Sequence, residues 1–106
     1  MEEPNLSYIK KLSQGDKEFE DQIFNVMQEE FPLERLSYEE AVEAEDFKDC
    51  AARVHKLKHK ISILGLSAGY QAAVEYENEL RQQSFEGKTD FETVLDRIEL
   101  FLKDRE

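Results

Sequence analysis

Residues 46–65 read Asp46-Phe47-Lys48-Asp49-Cys50-Ala51-Ala52-Arg53-Val54-His55-Lys56-Leu57-Lys58-His59-Lys60-Ile61-Ser62-Ile63-Leu64-Gly65. Apolar residues fall at Phe47, Cys50, Val54, Leu57, Ile61 and Leu64, in alternating steps of three and four. An α-helix turns once in about 3.6 residues, so this spacing lays one unbroken seam along a single face. Asp46 suits the N-cap, where a short carboxylate accepts from first-turn amides. Gly65 stands just past the last apolar position, where helices commonly end. His55 projects roughly 120° from the centre of the seam, towards solvent. Lys58, His59 and Ser62 follow it on the same surface row. Ala51 and Ala52, one turn earlier, are small and leave the imidazole uncovered.

The same period extends in both directions. Upstream, Leu6, Ile9 and Leu12 with Tyr8 mark a short first helix over residues 5–13, stopped at Gly15. Asp16 then caps a second helix whose stripe is Phe19, Ile23, Phe24, Met27 and Phe31. Pro32 should end or kink it, since proline lacks the amide donor and clashes with the preceding turn. The segment 33–45 keeps a helical pattern through Leu33, Leu36, Ala41 and Ala44, as one long kinked helix or two shorter ones. Downstream, Ser67 can cap a helix with Tyr70, Ala73, Val74, Glu77 and Leu80 on its inner face, broken at Gly87. Thr89 or Asp90 starts a last helix through Phe91, Val94, Leu95, Ile98, Phe101 and Leu102. No strand-like alternation occurs. The expected fold is all-α: an antiparallel up-down four-helix bundle with a short additional N-terminal helix, in one domain spanning residues 1–106.

Composition narrows the function classes. Hydrophobic residues make up 40% and charged residues 37%, a mix that suits a folded domain with a charged surface. Cys50 is the lone cysteine, which rules out an intramolecular disulfide and a cysteine-based zinc site. The acidic start Met1-Glu2-Glu3-Pro4-Asn5 is no signal peptide, and no apolar run is long enough to cross a membrane. A cytoplasmic protein without membrane insertion is expected. Net charge is −11, which opposes binding of nucleic acid. Arg53, Lys56, Lys58 and Lys60 stand together without an intervening acid, leaving −15 on the remaining residues. The pattern suggests a basic patch on an acidic body.

The string from His55 to Gly65 carries a more specific signal. It resembles the signature of histidine-containing phosphotransfer (HPt) domains, which reads His-x-Leu-Lys-Gly, five residues, then Gly. His55, Leu57, Lys58 and Gly65 match in register. The resemblance covers about residues 5–104. Gly15-Asp16 with Phe19 looks like the family's opening of its second helix. Ala44-Glu45-Asp46-Phe47 resembles the turn before the histidine helix, and Glu77-Asn78-Glu79-Leu80 falls where the family carries an acidic-apolar run. This sequence departs from the family at His59, where a glycine is usual, and at Lys60, where a small residue is common.

What the resemblance implies is a phosphorelay. His55 would accept a phosphoryl group reversibly from the aspartyl phosphate of a receiver domain and pass it to another receiver. A sensor or hybrid histidine kinase would stand upstream. Leu57 and Gly65 would be structural, Lys58 would give electrostatic support, and His59, Lys56 and Ser62 are auxiliary candidates. An unprotonated imidazole is the nucleophile, and the charges of Lys58 and Lys56 should disfavour imidazolium. The same cations would stabilise the transferring phosphoryl oxygens. No cofactor is expected on this domain, which should be a monomer; Mg²⁺ would come with the receiver. No nucleotide-binding loop is present, so kinase activity is not expected. The alternative is a bundle that binds a receiver or another signalling partner without being phosphorylated. A metal held by His55 and His59 lacks a third ligand and is opposed by nearby cations. Cys50 reads as a packed residue, and Tyr8, Tyr38, Tyr70 and Tyr76 as bundle-edge residues.

Overall fold

Two short carboxylates set the starts of the two helices that matter most. Asp16 accepts from the Phe19 amide at 3.1 Å and Asp46 from the Asp49 amide at 3.0 Å, as N-caps should. The computed structural model describes residues 2–104, and every regular element among them is a helix. These are α1 (Ser7–Ser13), α2 (Lys17–Glu43), α3 (Phe47–Ile63), α4 (Ser67–Arg81) and α5 (Lys88–Lys103). The links at 44–46, 64–66 and 82–87 are short, so each of the four long helices runs antiparallel to the next. α3 packs on α2 and α4, and α5 closes the ring against both of those. α1 lies on α2.

The α3 seam is the centre of the core. Cys50, Val54, Leu57, Ile61 and Leu64 are all fully buried, with Phe47 half-buried at the end, against Ala73, Tyr76, Leu80, Phe91, Leu95 and Ile98. α3 ends where Gly65 adopts φ +77, a left-handed conformation that favours glycine. A Cβ there would also lie 2.6 Å from the Asn5 side chain, so the position is closed on two grounds.

α2 corrects several expectations. It is one continuous 27-residue helix with Pro32 inside it, rather than two shorter ones. Pro32 lies on the exposed face, where the carbonyl it leaves without an amide partner can be solvated. The buried face beyond it is not Leu33, Leu36 and Ala44, which are exposed, but Tyr38 and Ala41 in line with Met27 and Phe31. The true stripe passes through Glu34, a charged residue where the pattern calls for an apolar one. Lys60 donates to Glu34 Oε2 at 2.8 Å and to Glu30 Oε1 at 2.9 Å, which explains how the stripe tolerates a carboxylate. Phe19, the first member of the expected stripe, is 43% exposed.

Other boundaries also move. Ser67 is the first helical residue of α4 and caps nothing; Leu66 holds the N-cap position. The Glu2 carboxylate takes over, accepting from Ala68 and Gly69 amides at 2.9 and 3.0 Å. α4 ends at Arg81, well before Gly87, which becomes the N-cap position of α5. Tyr38 and Tyr76 are core residues rather than edge residues. Their hydroxyls are 2.8 Å apart, and Tyr38 donates to Glu92 Oε2 at 2.9 Å. Burial pushes the Tyr76 hydroxyl up to about 12 and Tyr38 higher still.

Truncating Leu57 to Ala should cost about 2–5 kcal/mol in urea unfolding, because the seam cannot close around the lost volume. Tyr76→Phe should cost about 1 kcal/mol, since Tyr38 keeps its bond to Glu92. The tyrosine pair binds its protons more tightly folded than unfolded. Its contribution is complete below the ordinary tyrosine value of 10.0 and declines as pH rises towards about 12. Denaturation midpoints measured from pH 8 to 11 should fall for the wild type and fall less for Tyr38→Phe/Tyr76→Phe.

Candidate functional site

His55 stands on the outward side of α3, one position from the buried Val54, with 55% of its side chain exposed. Its Nδ1 lies 3.3 Å from both carboxylate oxygens of Glu77 on α4. Glu77 itself is buried, at 5% exposure, because its place in α4 is on the face turned to the core and α3. A buried carboxylate needs partners, and it has three. Lys58 Nζ donates to Oε1 at 2.9 Å, Arg81 NH1 donates to Oε2 at 2.6 Å, and His55 completes the set.

Charge balance here decides a tautomer. Burial alone would raise the Glu77 carboxyl, but hydrogen bonds from Lys58 and Arg81, the Lys58 charge and His55 together hold it below the usual carboxylate range. An ionised carboxylate only accepts, so His55 Nδ1 carries the hydrogen. In the neutral ring the lone pair is then on Nε2, the nitrogen not held by Glu77. The site presents one nucleophilic nitrogen on a rigid helix.

The expected residues divide in two. His55 and Lys58 are brought together, through Glu77 rather than directly. Lys58 also lies along the Tyr70 ring, 5.8 Å from its centre. His59 places its ring edge-on to His55, with centroids 5.5 Å apart at 77°. Ser62, two turns from His55, lines a cleft with Tyr8, His59, Ile63 and Tyr70. Lys56 is turned the other way, into a groove with Leu33, Glu34, Ser37 and Arg53. Leu57 is fully buried in the seam, and Gly65 stands in the turn after α3.

The expected basic patch does not form. Lys60 is bound to Glu30 and Glu34, Arg53 pairs with Asp49 at 3.3 Å, and Lys58 belongs to Glu77. The four cations radiate around the helix, and three of them find separate acids. The charge nearest the imidazole is therefore Glu77, not Lys56 or Lys58. Two residues of the site escaped the sequence. Glu77 was placed on the inner face and in the acidic-apolar run of the family resemblance but given no part in the site, and Arg81 was not singled out. Their signal was an acid on an apolar face with an arginine four residues later.

Among the described residues no three His, Cys, Asp or Glu side chains are grouped to hold a metal ion, and no helix is long and apolar enough to cross a membrane. Glu77 also carries a pH dependence. Its folded carboxyl is depressed, so its contribution to stability is complete above the unfolded value of 4.5 and is lost as pH falls below it. Glu77→Gln should flatten the fall of urea midpoints between pH 6 and pH 3. Long-range ¹⁵N spectra of the wild type near pH 8 should show His55 as the Nδ1–H tautomer, and that preference should weaken in the variant.

A family model described as Hpt domain matches residues 22–104, from within α2 to the residue after α5. Comparison with curated proteins and comparison with solved structures each returned no match. The match spans most of the chain and includes the complete α3–α4 site. The protein belongs to the Hpt domain family, whose members take part in phosphotransfer in two-component signalling.

Proposed function

We propose that this protein is an intermediate of a multistep phosphorelay, with His55 as its phosphoryl acceptor. The supporting observation is the pairing of a buried Glu77 carboxylate with His55 Nδ1, which leaves Nε2 as the available nucleophile. The His55 Nε2 lone pair attacks the phosphorus of a receiver's aspartyl phosphate. The bond between phosphorus and the carboxylate oxygen breaks, and its electron pair leaves with the aspartate. The ring becomes a phosphoimidazolium whose Nδ1 keeps its proton and donates it in a hydrogen bond to the Glu77 carboxylate. Onward transfer is the reverse, with a second receiver's aspartate as the attacking oxygen and the electron pair returning to Nε2.

Positioning and electrostatics supply most of the catalysis in such a reaction. Glu77 fixes the imidazole and offsets the charge that develops on it. Lys58 and Arg81, held on Glu77 in the resting site, are long enough to shift towards phosphoryl oxygens as those accumulate nearby. Receivers and a sensor or hybrid histidine kinase are the partners, the location is cytoplasmic, and the divalent ion is carried by the receiver. The alternative, a bundle that binds a receiver without being labelled, draws on His59, a ring where the related signature has no side chain.

Incubation with a phosphorylated receiver should give acid-labile, base-stable label on the wild type and none on His55→Gln. Lys58→Ala should slow transfer by roughly ten-fold or more. Equal labelling of wild type and His55→Gln, or a wild type that binds the receiver but takes no label, would remove the relay function.

A further inference from the structure

His59 shares the surface row of His55, and the relay chemistry above gives it no part. Both imidazoles are exposed, and their edge-to-face contact keeps the His59 ring within one side-chain length of His55. His59 makes no hydrogen bond or ion pair among the described residues, whereas Lys58, Arg81 and Lys60 start out bonded to carboxylates. Lys58 and Arg81 are on Glu77, Lys60 is on Glu30 and Glu34, and Lys56 faces the α2 side. Beside the ring lies an open cleft of about 320 Å³ walled by Tyr8 from α1, Ser62 and Ile63 from α3, and Tyr70 from α4. The ring therefore has room to turn without displacing a packed neighbour.

A phosphoryl group on Nε2 brings electron-rich oxygens to the exposed end of His55. Glu77 neutralises the ring behind them but repels the oxygens themselves. A donor on the outer side that is not already bonded can meet the oxygens without first leaving a carboxylate. We propose that His59 is a further catalytic residue of this site, donating a ring N–H to the phosphoryl oxygens as the group arrives on and leaves His55 Nε2. The proposal rests on His55 being the acceptor. A charged donor binds such oxygens more strongly than a neutral one, so imidazolium His59 is the more effective form. The titratable and charged groups around it are His55, Lys56 and Lys58 on α3, Glu77, Arg81 and Tyr70 on α4, and Tyr8 on α1.

Phosphoramidate is a probe that needs no docking partner. Its P–N bond breaks as His55 Nε2 forms a new one, and ammonia leaves. Loading rates of wild type, His59→Gly and His59→Lys are compared at each pH from 6 to 9, so that effects common to His55 and the reagent cancel in the ratio. The wild type should load roughly ten-fold faster than His59→Gly at pH 6, less than an enclosed oxyanion donor because the ring is exposed. The gap should narrow as pH rises, and His59→Lys should stay fast throughout. On loading, the ring ¹⁵N signals of His59 should shift in the wild type. Equal or faster loading of His59→Gly at every pH would overturn the proposal, as would label on His59 itself. A wild type whose label is absent from His55 would overturn the acceptor assignment as well, whereas label on His55 with no dependence on His59 overturns this inference alone.

Discussion

The Glu77 carboxylate, buried between α3 and α4, is the constraint on which the site depends. A lone carboxylate at that depth would be protonated or would force the helices apart. Three donors from two helices prevent this: His55 and Lys58 from α3, and Arg81 from one turn further along α4. The cluster does two things at once. It fixes the register of α4 against the histidine helix, and it fixes which nitrogen of His55 carries the proton. Stability and reactivity are drawn from the same set of bonds.

The rest of the bundle repeats the device of a few satisfied polar groups inside an apolar frame. Lys60 reaches from α3 to Glu30 and Glu34 on α2, on the opposite flank from Glu77. The Tyr38–Tyr76–Glu92 chain joins α2, α4 and α5 through the centre. Arg35 ties α2 to α5 through Asp96 at 2.7 Å. Each interaction adds little against its desolvation cost, but each penalises a shifted register, because a displaced partner leaves a buried polar group unpaired. The N-terminal segment adds a further restraint beside the site. The Asn5 amide donates to the Leu64 carbonyl at 2.9 Å, and Glu2 caps α4, so the turn that joins the two site helices is clamped from outside.

Much of the fold was legible because it follows from period alone. The α3 seam, its Asp46 cap and its Gly65 stop each express a local rule, and the structure obeys them. The errors share one cause. Leu33 and Leu36 were read as core because Glu34 interrupts the true stripe, and no local rule shows that Lys60 will meet it. Ser67 was read as a cap because the actual cap, Glu2, lies far away in sequence. Tyr38 and Tyr76 were read as edge residues because a hydroxyl is usually wet unless a partner is brought to it.

The same division holds at the site. The sequence by itself determined that residues 46–64 form an amphipathic helix, that His55 lies off its buried seam, and that Lys58 and His59 share its row. Those are consequences of spacing along one helix. Only the tertiary structure decided the charge around the imidazole, because that charge comes from α4. It replaced an expected basic patch with a carboxylate braced by Lys58 and Arg81, and left His59 exposed beside His55 without a hydrogen bond among the described residues. Packing two helices together selects which of many charged residues meet, and electrostatic partners at that range are set by the fold rather than by order along the chain.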